Sequence, residues 1–151
     1  MEQTGWKEKD DYTIKEIRNY LDREKLDVFI PWKPEHIGYL TNYFDEIHIN
    51  ILWEEMTSLL VIPLAKDAFV VGAHSHWIGT DDSVKPWWIT ERHDARGSAE
   101  NKITKALEEA VELLKQKGLA KARIGIEKKW LPVHIFEYLS SELPDAEFVS
   151  A

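Results

Sequence analysis

Apolar residues at helical spacing open the chain. Ile14, Ile17, Tyr20 and Leu21 fall on one helical face. Thr13-Ile14-Lys15-Glu16 fits a capping box, in which a hydroxyl and a carboxylate each satisfy a free backbone amide. Together they predict a helix at about 13–24. Leu26-Asp27-Val28-Phe29-Ile30 is a short apolar run ended by Pro31 and reads as a buried strand. Pro34 opens a short helix carrying Ile37, Tyr39 and Leu40. Ile47 to Ile51 alternates at period two, as a strand does, yet Ile47, Ile51 and Glu54-Glu55 also suit a helix, so that segment stays open. Two apolar runs, Ser58 to Leu64 and Ala68 to Gly72, flank a short polar pair and predict a hairpin, although its turn lacks the favoured Asn-Gly or Asp-Gly.

Residues 73–97 are polar and aromatic, with Gly79, Asp81, Asp82 and Ser83 marking a loop. Within them Trp87-Trp88-Ile89-Thr90 follows Pro86 and predicts a strand, a place where proline removes no ladder donor. Ile103, Leu107, Ala110 and Leu114 form an apolar stripe on the longest helix, about 99–117, with Ser98 as its cap. Lys115 and Lys117 suit the carboxyl end of its dipole, and Gly118 is its expected terminator. A strand at 122–126, a Pro-started helix at about 132–142 and a strand at 146–149 complete the order. The pattern predicts a single α/β domain over residues 12–151, after a flexible opening at 1–11. Its architecture is three layers, a mixed sheet of five or six strands flanked by helices. No repeat, low-complexity tract or linker interrupts it.

Composition narrows the classes of function. An apolar fraction of 44% and a charged fraction of 30% are ordinary for a globular domain. The net charge of −8 argues against nucleic acid and against an anionic membrane surface. The absence of cysteine removes disulfides, thiolate catalysis and Cys-based zinc sites, and it suits a cytoplasmic location. No run approaches the roughly 20 apolar residues that span a bilayer.

Several constellations carry candidate chemistry. His74 and His76 would share one face if the strand before them continued, with Asp81, Asp82, His93 and Asp94 near enough in sequence to complete a metal shell. The competing reading is a solvated polar loop, since no helix or cysteine framework fixes that geometry. Trp87 and Trp88 point to opposite faces of a strand, so either helices cover both faces or one indole meets a partner or ligand. Trp53 and Trp77 join them as candidate contacts, whereas Trp32 and Trp130 read as local packing. Arg92, His93 and Arg96 precede the long helix and could receive a carboxylate with its free amides, or serve only in capping and solvation. Glu108, Glu109 and Glu112 read as a solvated face paired with Lys105 and Lys115. There is no Gly-rich phosphate loop and no Gly-x-Ser-x-Gly elbow.

Three anchors in the chain resemble a known family. Leu26 to Ile30 followed by Pro34-Glu35-His36-Ile37-Gly38-Tyr39-Leu40-Thr41 looks like a strand and a P-x-N-I-x-Y-L-(T/S) turn. The hairpin of residues 58–72 is the second anchor. The strand–helix–strand closing the chain, through Trp130-Leu131-Pro132 and Leu143-Pro144-Asp145, is the third. Their order is similar to that of the amino-terminal domain of the creatinase/prolidase/aminopeptidase P family, with its ribonuclease H-like motif. His36 stands where the family often carries Asn, Gly38 where Arg is common, and Asn42-Tyr43 replaces a Gly-Phe ending, which leaves the subfamily open.

The resemblance implies a non-catalytic domain of an Xaa-Pro peptidase-type metallohydrolase. In that family a "pita-bread" catalytic domain follows, absent from these residues, and its Asp, His and Glu side chains hold two divalent metals (Mn, Co or Zn). The amino-terminal domain packs across oligomer interfaces and helps wall the partner's active site. Expected partners are therefore a second copy, as a homodimer, and a carboxyl-terminal catalytic domain, with no metal or other cofactor in this chain. The alternative is a free-standing module of the same fold that binds a small molecule or peptide with its aromatic loop and segment 45–57. A small hydrolase built on His74 and His76 is the third reading.

Overall fold

The computed structural model describes residues 3–41, 58–72, 89, 91–95 and 102–151. In chain order its elements are α1 (Gln3–Arg23), β1 (Val28–Ile30), α2 (Pro34–Thr41), β2 (Ser58–Pro63), β3 (Phe69–Gly72), β4 (Glu91–Asp94), α3 (Lys102–Gln116), β5 (Arg123–Ile126), α4 (Val133–Glu142) and β6 (Glu147–Ser150). The strands form one mixed sheet of order β4-β3-β2-β1-β5-β6. β2 runs antiparallel to β1 and β3, and the other pairs are parallel.

Strand alternation sorts the side chains into two faces. The register puts Val28, Val61, Phe69 and Ile124 on one face. Helices α3 and α4 cover it: α3 packs on β2 and β3, and Phe136 of α4 meets Phe148 of β6 edge-on at 5.8 Å between ring centroids. Ile62 lies on the opposite face, where Ile14 and Ile17 of α1 come up beside it and Ala68. Leu21, Phe69, Leu114, Ile124 and Ile126 are fully buried in this core, and each contributes roughly 1.5–3 kcal/mol relative to exposure.

Two helix ends use the same device. At the end of α3, Gly118 has φ of +76°. Its amide donates to the Lys115 carbonyl at 3.0 Å, and that of Leu119 to the Leu114 carbonyl at 2.8 Å. This is the Schellman pair of bonds, and glycine adopts the left-handed position without a Cβ penalty. At the end of α1, Lys25 holds that position with φ of +55°, and the amides of Lys25 and Leu26 reach the carbonyls of Asp22 and Leu21 at 3.2 and 2.8 Å. Gly125 in β5 has a different reason to be glycine. A Cβ there would lie 2.8 Å from Leu26 Cδ1 and 2.9 Å from the Ala151 Cβ.

The strand at residues 26–30, the hairpin, the long helix with its Gly118 stop and the closing strand–helix–strand all appear where the pattern places them. Two elements differ. Helix α1 begins at Gln3, well before the capping box at Thr13, so it takes in most of the polar opening and Thr13 lies inside it. A strand also forms at Glu91–Asp94, inside the expected loop, where parallel pairing with Phe69–Gly72 takes polar residues into the sheet; of the strand expected at 87–90, Trp87, Trp88 and Thr90 lie outside the described residues. The segments 42–57, 73–88 and 96–101 lie outside the described residues, with the open 47–51 assignment and the Ser98 cap. Among the described residues, no helix is long and apolar enough to cross a membrane.

Candidate functional site

β1 and β5 lie side by side and parallel, yet the chain leaves β1 towards β2 and leaves β5 towards β6, on opposite sides. Such a topological switch point opens a crevice at the carboxyl ends of the strands, the usual ligand position in open α/β sheets. Here Glu127, the residue after β5, fills it. The residue is 7% exposed and is the one charged or polar residue buried among those described. Its Oε2 accepts hydrogen bonds from the backbone amides of Trp32 at 2.7 Å and Lys33 at 2.8 Å. Its Oε1 pairs with Nδ1 of His36 in the first turn of α2. One carboxylate thus satisfies the amides leading into α2 and orients an imidazole, a task for an ionised acceptor that has no donor of its own.

Around this anchor stands an aromatic and basic rim. His36 is 46% exposed at its side chain, so its ring projects beyond the carboxylate that holds it. Trp130 is 44% exposed, with Lys33 Nζ 4.5 Å and Lys129 Nζ 4.9 Å from its ring centroid. Ammonium groups over an indole face are attracted by its quadrupole, which fixes the ring while leaving it at the surface. Tyr39 of α2 is 76% exposed. The rim suits recognition of another surface; it contains no nucleophile paired with a base.

A second cluster sits on β4. Glu91 takes Lys117 Nζ at 2.8 Å and His93 Nε2 at 2.9 Å, while His93 Nδ1 lies 4.0 Å from Glu109. Lys117 Nζ also lies 5.3 Å from the Phe69 ring centroid, and the His93 ring meets Phe69 edge-on. Burial raises the Glu91 pKa, but the hydrogen bonds and charges of Lys117 and His93 outweigh it and hold the carboxyl below its ordinary value. These bonds tie the sheet edge to α3. No group of three or more His, Asp or Glu side chains among the described residues is placed to hold a metal ion.

The residues singled out from sequence divide accordingly. Arg92 and His93 occupy β4, where alternation sends them to opposite faces, and Arg92 Nε donates to the Ile89 carbonyl at 3.3 Å. Trp53, His74, His76, Trp77, Asp81, Asp82, Trp87, Trp88 and Arg96 lie outside the described residues. Glu108 and Glu112 are exposed and paired with Lys105 and Lys115 as expected, at 2.8 and 3.6 Å. Trp32 is buried, and Trp130 packs locally against its lysines. Sequence reasoning passed over Glu127 as a site; the available signal was a lone carboxylate directly after the apolar strand Ile124-Gly125-Ile126.

Comparison with known proteins places the whole arrangement. The Creatinase/Prolidase N-terminal domain family matches residues 13–151. The chain is similar in structure to the Creatinase/Prolidase N-terminal domain of an X-Pro dipeptidase from Streptococcus pyogenes, with a TM-score of 0.68 and 18% identity over 93% of this chain and 99% of that one. A proline dipeptidase from Streptococcus pneumoniae aligns with a TM-score of 0.65 and 20% identity over 91% and 89% of the two chains. An Xaa-Pro dipeptidase from Bacillus anthracis aligns with a TM-score of 0.66 and 15% identity, over 94% of this chain but 33% of that one. At these identities the structural likeness shows the fold alone. No curated protein sequence matches the chain. The family match covers all of the sheet, the Glu127 anchor and the rim, and the chain belongs to the Creatinase/Prolidase N-terminal domain family.

Proposed function

We propose that this chain acts as a non-catalytic domain of a prolidase-like metallohydrolase of the Xaa-Pro peptidase type. Its work is to hold subunits together and to shape a substrate pocket whose two divalent metals are held by a separate catalytic domain. The observation that carries this reading is the rim at the β1–β5 switch point. His36 and Tyr39 of α2 and Trp130 of the loop after β5 stand at the surface, and the buried Glu127 carboxylate fixes the entry to α2. A rigid aromatic rim loses little conformational entropy when it meets a partner, which is what an interface or a pocket wall requires. Trp53, Trp77, Trp87, Trp88, Arg92, His93 and Arg96 belong to the same proposal as further contacts. A homodimer and a cytoplasmic location complete it, the latter on the absence of cysteine.

Sedimentation velocity tests the association. The chain is expected to sediment as a dimer at micromolar concentration, and Trp130→Ser with Tyr39→Ser to shift it towards monomer while circular dichroism stays unchanged. A wild-type monomer at every concentration, or a dimer indifferent to both changes, overturns the rim as an interface.

A further inference from the structure

A second feature lies beyond the carboxyl end of β5. The first turn of α4 and the loop before it leave a cavity of about 240 Å³ against the end of the strand, lined by Ile126, Lys128, Leu131, Val133 and Phe136. Ile126 and Leu131 are buried, whereas Val133 is 70% exposed, so apolar surface faces water across an opening that nothing in the described chain fills. Among the described residues Lys128 is the one charged residue of the lining and none is acidic, on a chain whose net charge is −8.

We infer that this cavity binds a small monocarboxylic acid with an aryl-sized apolar body. The body lies against Ile126, Leu131, Val133 and Phe136, where covering them removes apolar area from water. The carboxylate turns outward to the ammonium of Lys128. Size and charge both narrow the ligand: the volume falls below the roughly 300–1,000 Å³ of drug-sized pockets, and a cationic ligand would meet a like charge at the mouth. The cavity shares the loop after β5 with the Glu127 rim but none of its named side chains, and the inference does not depend on the scaffold function proposed above.

The test is a methyl-resolved NMR titration of the full chain with hydrocinnamate and, separately, with its neutral amide. Saturable shifts are expected on Ile126, Leu131 and Val133 at millimolar acid. The amide should bind more weakly by about five-fold at most, the scale of an exposed ion pair. Lys128→Met should bring acid and amide to equal affinity while leaving the amide unchanged. Val133→Asp, at an exposed position, should abolish both with an unaltered circular dichroism spectrum. Four outcomes each overturn the inference: no saturable shift, equal affinities for acid and amide in the wild type, shifts elsewhere, or concentration-dependent shifts of these methyls without ligand, which would mean that a second copy covers the cavity.

Discussion

Replacing Glu127 with alanine removes one acceptor from two backbone donors and one imidazole at once. The Trp32 and Lys33 amides lose bonds of 2.7 and 2.8 Å, and His36 loses its partner. Hydrogen bonds to a charged group are worth about 1.5–3 kcal/mol each. The Trp32 amide is buried and has no route to water, whereas the part-buried Lys33 amide recovers some of its loss. The net expectation is a destabilisation of about 3–5 kcal/mol, the range seen when one partner of a buried pair is removed. For a chain of this size that is a fall in Tm of roughly 10 °C. Glu127→Gln keeps a neutral oxygen on the two amides and should cost about 1–2 kcal/mol, because a charge-assisted bond is roughly twice as strong as a neutral one. Urea unfolding followed by tryptophan fluorescence measures both variants, with the m-value unchanged if the native state keeps its compactness. Hydrogen exchange adds a local reading: the Trp32 and Lys33 amides should lose protection ahead of the sheet in the alanine variant. An alanine variant within about 1 kcal/mol of wild type, or glutamine as damaging as alanine, would refute the assignment of Glu127 as the anchor of α2.

The helix ends give a paired expectation. Lys25→Gly relieves a left-handed lysine and should stabilise by about 0.5–1 kcal/mol, while Gly118→Ala, with no atom within 4 Å of its added Cβ, should destabilise by about 1–2 kcal/mol through backbone strain alone. Chemical denaturation distinguishes the two signs. Glu91 sets a pH dependence. Its folded pKa lies below the unfolded value of about 4.3, so its contribution is fully present above that pH and lost as pH falls through the folded value. The stability advantage of wild type over Glu91→Gln should therefore shrink as the pH falls below about 4.3. An advantage that keeps growing as the pH falls below that value contradicts the Lys117 and His93 pairing.

Much of the sheet was legible because its strands are buried on both faces and read as continuous apolar runs. Val28–Ile30, Ser58–Pro63, Phe69–Gly72 and Arg123–Ile126 needed no partner to be found. β4 was not legible: its residues are Glu, Arg, His and Asp, and only pairing with β3 makes them a strand. The early start of α1 was hidden for a related reason, since the polar opening shows no apolar stripe and Thr13-Ile14-Lys15-Glu16 imitates a cap that the helix runs through. The site was hardest. Glu127 and His36 are 91 positions apart in sequence, and only the parallel pairing of β1 with β5 brings them together. Aromatic content pointed towards an interface but drew attention to Trp87 and Trp88 rather than to Trp130, whose lysine partners Lys33 and Lys129 come from two separate loops.

If these residues frame another domain's chemistry, the purified polypeptide should leave an Xaa-Pro dipeptide intact with manganese, cobalt or zinc supplied, at a rate indistinguishable from buffer. Turnover above buffer that disappears on His36→Ala or His93→Ala would place the chemistry in this chain and contradict the account.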